Sequence, residues 1–296
     1  MICSFCPRKC FAERDKIGGG YCKMPFSPVI ARAALHFWEE PCISGKKGSG
    51  AVFFSGCQLN CVYCQNAEIS KLHKGVEVTT ERLCDIFLEL EQKGAHNINL
   101  VTPTHYIIPI ISALEMAKSK GLNIPVVYNC GGYEDVDSLR LIDGLIDVYM
   151  PDFKYYSNGI SQKYSNAPNY RDISLDALSY MYCTRKKPQF DGDGIMTRGV
   201  LVRHMLLPSH LFDSKRVIKL LNDNFNNDII YSIMNQYTPM PDCSKYPELN
   251  RTVTDREYDS LTEYALQLGI KNAYIQEDSA SGECFIPPFD GEGVTI

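Results

Sequence analysis

From residue 51 onward the chain alternates two hydrophobic periods. Short runs of consecutive β-branched and aromatic residues read as buried strands, and between them apolar residues recur at the three-to-four spacing of a helix face. The spacing predicts strands at 51–55, 97–101, 124–129, 146–150, 199–206, 229–234 and 273–276. It predicts helices at 80–93, 107–119, 136–143, 173–186, 213–223 and 255–268, with a polar loop over 155–171. Thr254-Asp255-Arg256-Glu257 reads as a capping box that opens the last helix. Repeated strand–helix alternation means parallel strands covered by helices. About six such units fall short of the eight of a closed barrel. The fold class expected is therefore α/β, a partial (β/α)6 TIM-like barrel over residues 50–296. Residues 1–49 lack this rhythm and read as a Cys-rich N-terminal extension. Their stretch around Trp38-Glu39-Glu40-Pro41 reads either as a cover over the mouth of the cluster site or as packing against the barrel, with packing the default.

The cysteines change this picture from a fold into a chemistry. The chain holds 13 among 296 residues. With no signal peptide at the start they point to metal ligation or buried free thiols in a cytoplasmic protein, not to disulfides. Cys57, Cys61 and Cys64 form a C-x3-C-x2-C triplet directly after the first barrel strand, where Gly56 allows a sharp turn. A [4Fe–4S] cube normally takes four thiolates, so a triplet leaves one iron open for chemistry. Cys3, Cys6, Cys10 and Cys22 form a second set, with Arg8, Lys9, Arg14 and Lys16 to offset thiolate charge. That set is read either as an auxiliary iron–sulfur cluster or as a zinc staple for an arm with little core. Cys42, Cys84, Cys130, Cys183, Cys243 and Cys284 have no partners at ligand spacing and read mostly as inert. The net charge of −5 argues against nucleic-acid or anionic-membrane partners, and no apolar run approaches a membrane span.

Phe54-Ser-Gly-Cys-Gln-Leu-Asn-Cys-Val-Tyr-Cys-Gln-Asn66 resembles the cluster loop of the radical S-adenosylmethionine (SAM) superfamily. Within it the chain is most similar to the pyruvate formate-lyase activating enzymes and the uncharacterised proteins named after them. Runs such as Glu-Glu-Pro-Cys-Ile-Ser-Gly, Tyr-Met-Pro-Asp-Phe-Lys-Tyr and Asn-Gln-Tyr-Thr-Pro extend the resemblance over nearly the whole chain. The resemblance implies that the open iron of the Cys57/Cys61/Cys64 cluster chelates SAM. One electron then releases a 5′-deoxyadenosyl radical.

Site residues are expected where strands end. Tyr63 lies in the cluster loop. Thr102, Thr104 and His105 end the second strand, where the activating enzymes usually have Gly-Gly-Glu contacting the SAM amino group. Asn129 ends the third strand, for a ribose hydroxyl. Asp152 and Lys154 end the fourth, like the Asp-Leu-Lys segment of the activating enzymes, and alternate onto one face. Arg203 on the fifth needs an anion, with the SAM carboxylate a candidate. Asn235 and Gln236 end the sixth, and one or the other is placed near SAM or substrate.

The partners implied are a flavodoxin or ferredoxin as electron donor, and a glycyl radical enzyme whose backbone glycine receives the radical. Radical modification of another peptide or a small molecule is the alternative. The rivals from other classes are a non-catalytic iron–sulfur electron-transfer protein and a zinc-bound scaffold. Three-thiolate ligation and the Asp152/Lys154 pair favour catalysis over both.

Overall fold

A computed structural model describes residues 2–15, 18–276 and 287–295. Lys16 and Cys284, both singled out above, lie outside the described residues. The chain opens with two short paired strands, β1 (Ile2–Cys3) and β2 (Ala12–Glu13). Then follow β3 (Val29–His36), α1 (Pro41–Ser44), β4 (Ser49–Phe54), α2 (Ala67–Ser70) and β5 (Val76–Glu77). The alternating part continues with α3 (Thr80–Gln92), β6 (Ile98–Val101), α4 (Ile107–Ser119), β7 (Val126–Cys130), α5 (Val136–Ile142) and β8 (Val148–Pro151). It closes with α6 (Asn158–Ser165), α7 (Tyr170–Arg185), β9 (Gln189–Phe190), β10 (Met196–Met205), α8 (Leu211–Phe225), β11 (Ile230–Met234), α9 (Asp255–Gln267) and β12 (Ala273–Ile275).

Strands β4, β6, β7, β8, β10, β11 and β12 pair in that order, each parallel to the next. Their residues are buried on both faces in β4, β6, β7, β8 and β11, as a sheet covered by helices requires. The expected α/β fold with a mostly parallel sheet is the one observed.

Three differences have local causes. β3 was not predicted, because its buried small residues Ala31, Ala33 and Ala34 look neutral in sequence. They let the strand lie close along β4, antiparallel, from Ile30↔Phe54 to His36↔Ser49. The expected boundary near residue 50 thus falls inside a paired sheet. The predicted loop 155–171 contains helix α6, whose Ser161, Tyr164 and Ser165 are buried although two of them are polar. Asn166, left-handed at φ 48, ends it. Finally, the tail returns to the outer edge of β3, where Gly291 N donates to Ala31 O (3.0 Å) and Ala33 N to Glu292 O (2.8 Å).

Candidate active site

The cluster loop leaves β4 through Ser55 and Gly56. Gly56 has φ +85, and a Cβ there would collide with Met24 and press on His105. Only glycine fits that turn. Beyond it the loop is held by amides. Gly56 N donates to Ile69 O (2.9 Å), Asn60 N to Ser165 O (3.2 Å) and Val62 N to Tyr164 O (2.8 Å). The last two acceptors are carbonyls of the final turn of α6, which have no partner inside their own helix.

Cys57, Cys61 and Cys64 line one cleft together with Tyr63, Thr102, Asn129, Asp152, Lys154, Arg203 and Gln236. Seven of the expected side chains outside the triplet therefore do meet at the strand ends. Burial pushes the Cys57 thiol up, and the neighbouring Cys61 and Cys64 push it further. Burial also raises Cys61, while the Lys154 ammonium pulls against it. Cys57 and Cys61 therefore resist ionisation unless a cation binds beside them. The donor chemistry of the triplet fits an iron–sulfur cluster with three protein ligands. Among the described residues no three His, Cys, Asp or Glu side chains crowd closely enough to share a single metal ion.

The charged wall opposite is already paired. Arg203 Nε donates to Asp152 Oδ1 (2.9 Å), Nη1 to Glu39 Oε2 (3.0 Å) and Nη2 to Asn129 Oδ1 (2.6 Å). Lys154 Nζ donates to Asp152 Oδ2 (2.6 Å). Burial alone would raise the Asp152 carboxyl, but Arg203 and Lys154 outweigh it and hold the group ionised. Arg203 thus meets its anions inside the protein, and Lys154, next to Cys61, is the cation less fully enclosed by acceptors. Asn129 is likewise committed, its Nδ2 donating to Glu39 Oε1 (3.1 Å).

Thr104 and His105 stand elsewhere than expected. Both are buried and neither lines the cleft. The Thr104 hydroxyl donates to Glu134 Oε1 (2.8 Å), and His105 Nε2 lies 2.7 Å from Ser55 O. His105 therefore braces the turn that starts the cluster loop. Burial drops its pKa to about 3, so it stays neutral. The polypeptide turns away from the cleft after Thr102, whose φ is +60, and this carries both side chains behind the loop. Tyr63 lines the cleft but is buried, with its hydroxyl 2.5 Å from that of Tyr155. The backbone N–H of Asn235 donates to Gln276 Oε1 (2.7 Å).

Sequence reasoning passed over Glu39, Gln58, Cys130 and Glu134. Glu39 and Cys130 line the cleft. The signal for Glu39 was an acidic pair set between Trp38 and Pro41 at a barrel edge, which only the β3–β4 pairing turns inward. Of the N-terminal thiols, Cys3, Cys6 and Cys22 are buried and Cys10 is exposed. Burial pushes Cys6 up to about 12, with Cys22 and Cys3 adding to it.

Residues 51–182 match the Radical SAM superfamily model. An uncharacterized protein of Methanocaldococcus jannaschii is 27% identical over 283 residues, covering 92% of this chain and 76% of that relative. Among solved structures, SuiB of Streptococcus suis bound to precursor peptide SuiA aligns with a TM-score of 0.53 at 12% identity, over 76% of this chain and 47% of that one. SuiB bound to S-adenosylmethionine gives 0.53 at 10%, over 76% and 49%. This chain thus spans about half the length of those structures, and the likeness is one of fold. The match begins in the strand that delivers Cys57, Cys61 and Cys64 and ends beyond Lys154. The chain carries a radical SAM superfamily domain, whose cofactors are a [4Fe–4S] cluster and SAM.

Proposed function

We propose that this protein reductively cleaves SAM at a [4Fe–4S] cluster held by Cys57, Cys61 and Cys64, and uses the resulting radical on a peptide segment of another protein. The observation that carries this reading is the cleft itself. Three thiols form one wall, and a pre-paired Asp152/Lys154/Arg203 wall with Glu39 and Asn129 faces them. When bound, the cluster supplies the electron that breaks the SAM sulfonium and releases a 5′-deoxyadenosyl radical.

The chain's own residues bind and shield. Lys154 offers its ammonium to the methionyl carboxylate, and Asp152 keeps that ammonium charged and aimed. Thr102 presents a hydroxyl at the end of β6 for the amino group. Leu59, Ile69, Met205 and Met234 line the same cleft and exclude water. Glu39 fixes the Arg203 guanidinium and the Asn129 side-chain amide.

Resemblance to the activating enzymes makes a backbone glycine of a glycyl radical enzyme the first target to test. That a protein of like fold is bound to a precursor peptide supports a peptide over a small molecule. A flavodoxin or ferredoxin is the proposed electron source, and the thiol ligands call for a reducing, oxygen-poor cytoplasm. The N-terminal cysteines are proposed as a second iron–sulfur site. A zinc ion held by the same four thiolates is the alternative.

The test is anaerobic reconstitution with iron and sulfide, then reductant and SAM. 5′-Deoxyadenosine above a Cys61→Ala control is expected; its absence overturns the reading. About eight irons per chain, dropping to about four in a Cys3/Cys6/Cys10/Cys22→Ser variant, would assign the second site. Deuterium moving from a labelled peptide glycine into 5′-deoxyadenosine would identify the target class.

A further inference from the structure

Behind the cluster loop lies a polar knot that faces away from the cleft. Glu134 follows Gly131-Gly132-Tyr133 after β7 and is 2% exposed. Its Oε1 accepts from Gln58 Nε2 (2.9 Å) and from the Thr104 hydroxyl (2.8 Å), and its Oε2 from the Tyr128 hydroxyl (3.0 Å). These donors are all neutral. A buried carboxyl held only by neutral donors is a costly choice for a core, where an apolar side chain of similar size would pack without penalty.

Gln58 is the residue next to Cys57, within the segment that joins Cys57 to Cys61. It is 1% exposed. Its Nε2 also lies 3.3 Å from Tyr133 O and 3.0 Å from Thr104 Oγ1, and its own carbonyl accepts from Arg8 Nε (2.8 Å). Arg8 in turn lies over the Tyr21 ring (4.0 Å) and the Tyr133 ring (5.4 Å). A buried amide gripped on both its side chain and its carbonyl has one orientation. Two residues of known position, Gln58 and the α6-bound Asn60, then bracket the path from Cys57 to Cys61.

We propose that Glu134 is a positioning residue that, through Gln58, holds the Cys57–Cys61 segment in the conformation that presents both sulfurs to the cleft. The statement about the loop concerns the apoprotein; its consequence for the cluster rests on the function proposed above. Outer-layer groups that orient metal ligands typically change metal retention 10–100-fold.

The test uses the full chain with Glu134→Gln, Gln58→Leu and the swapped double variant Gln58→Glu/Glu134→Gln. The swap restores an amide–carboxylate pair with its ends exchanged, and the Thr104 and Tyr128 hydroxyls rotate to suit. In the apoprotein, amide hydrogen exchange at residues 57–61 should quicken at least tenfold in both single variants and recover in the swap. After reconstitution, iron and sulfide per chain should fall in the single variants. The EPR spectrum of the reduced cluster should broaden, and the swap should recover both. A merely structural Glu134 would lower the melting temperature while leaving loop exchange and EPR signature as in the natural protein, and that result overturns the proposal. Should Glu134→Gln fail to fold, Gln58→Leu decides alone, since it leaves Glu134 its Thr104 and Tyr128 donors. Loop exchange is read without cofactor, so it still decides the matter if the natural protein makes no 5′-deoxyadenosine.

Discussion

The two cysteine sets are built in opposite ways. The cluster loop hangs from a buried strand, turns at a glycine no other residue can replace, and is tied by amides to Ile69, Tyr164 and Ser165. Its shape is set by the scaffold before any cofactor arrives. The N-terminal arm has two strands of two residues each and few apolar side chains. It is fastened by arginines instead. Arg14 is 1% exposed and donates to the carbonyls of Met24, Pro25 and His105, with Cys3 Sγ at 3.6 Å. Arg8 reaches the cluster loop at Gln58 O (2.8 Å). The lesson is that one set of thiols is preorganised, whereas the other depends on polar fasteners to stay near the barrel.

The comparison breaks most decisively at the thiols themselves. Cys61→Ala should lower 5′-deoxyadenosine formation by more than ~100-fold while the apoprotein keeps its melting temperature within a few degrees, because the loop's amide bonds do not involve that sulfur. Loss of the apo fold in Cys61→Ala would show that the loop is not preorganised. The arm responds differently. Arg14→Met removes the donors of three buried carbonyls, each costing ~1–3 kcal/mol when left unpaired, so a loss of about 4 kcal/mol is expected. Denaturant titration measures it, and hydrogen exchange should rise across residues 2–15 before it rises in β4. Uniform loosening of both regions would erase the distinction drawn here.

A middle-sized effect links the two regions through Glu134, which lies beside Gln58 and helps to hold the Cys6 thiol un-ionised. Burial pushes its carboxyl up to about 7, against the pull of hydrogen bonds from Thr104, Tyr128, Cys130 and Gln58. The folded protein therefore binds this proton more tightly than the unfolded chain does. Between an unfolded pKa of about 4.5 and the folded value the native state holds the extra proton, so stability declines as pH rises through that window. The full span is on the order of 3 kcal/mol. Above the window the cost of the buried charge is constant. Urea unfolding of the apoprotein from pH 4.5 to 8 should show this slope, and Glu134→Gln should remove it.

How much of this was readable in advance follows from what each residue answers to. The strand–helix series, the capping box at Thr254 and the Cys57/Cys61/Cys64 loop are written in local pattern, and the structure repeats them within a few residues. Asp152 and Lys154 were placed together because strand alternation fixes their side. Thr104 and His105 were not, because a single left-handed residue at Thr102 redirects the chain and no periodicity reports it. Helix α6 was read as loop because its buried face is serine and tyrosine, which bond to Ala167 O, Glu248 and Cys61 rather than pack as hydrocarbon. Glu39 and Glu134 became visible only when long-range pairing brought them to Arg203 and Gln58. Groups whose role depends on partners about 75 to 165 residues away leave no mark on their own neighbourhood.

Thr102 itself offers the smallest and most specific test. A β-branched residue at φ +60 is an outlier that costs on the order of 1–3 kcal/mol. It is kept at the end of β6, where its amide donates to Asn129 O (2.8 Å) and its side chain lines the cleft. Glycine would relieve the strain but would lose more backbone freedom on folding, by ~0.5–1 kcal/mol. Thr102→Gly should therefore stabilise the apoprotein by about 1 kcal/mol, a rise of about 2 °C in melting temperature for a chain of this size. If the strain serves the cleft, the same change should weaken SAM binding, read as a higher KM with less effect on kcat, because a hydroxyl that contacts the ground state is removed. Thr102→Ser separates the two, since it keeps the hydroxyl and sheds the branching methyl. It should gain part of the stability and hold KM near the natural value. A stabilised Thr102→Gly protein with unchanged KM would mean that the left-handed threonine shapes the turn behind the cluster loop and takes no part in holding SAM.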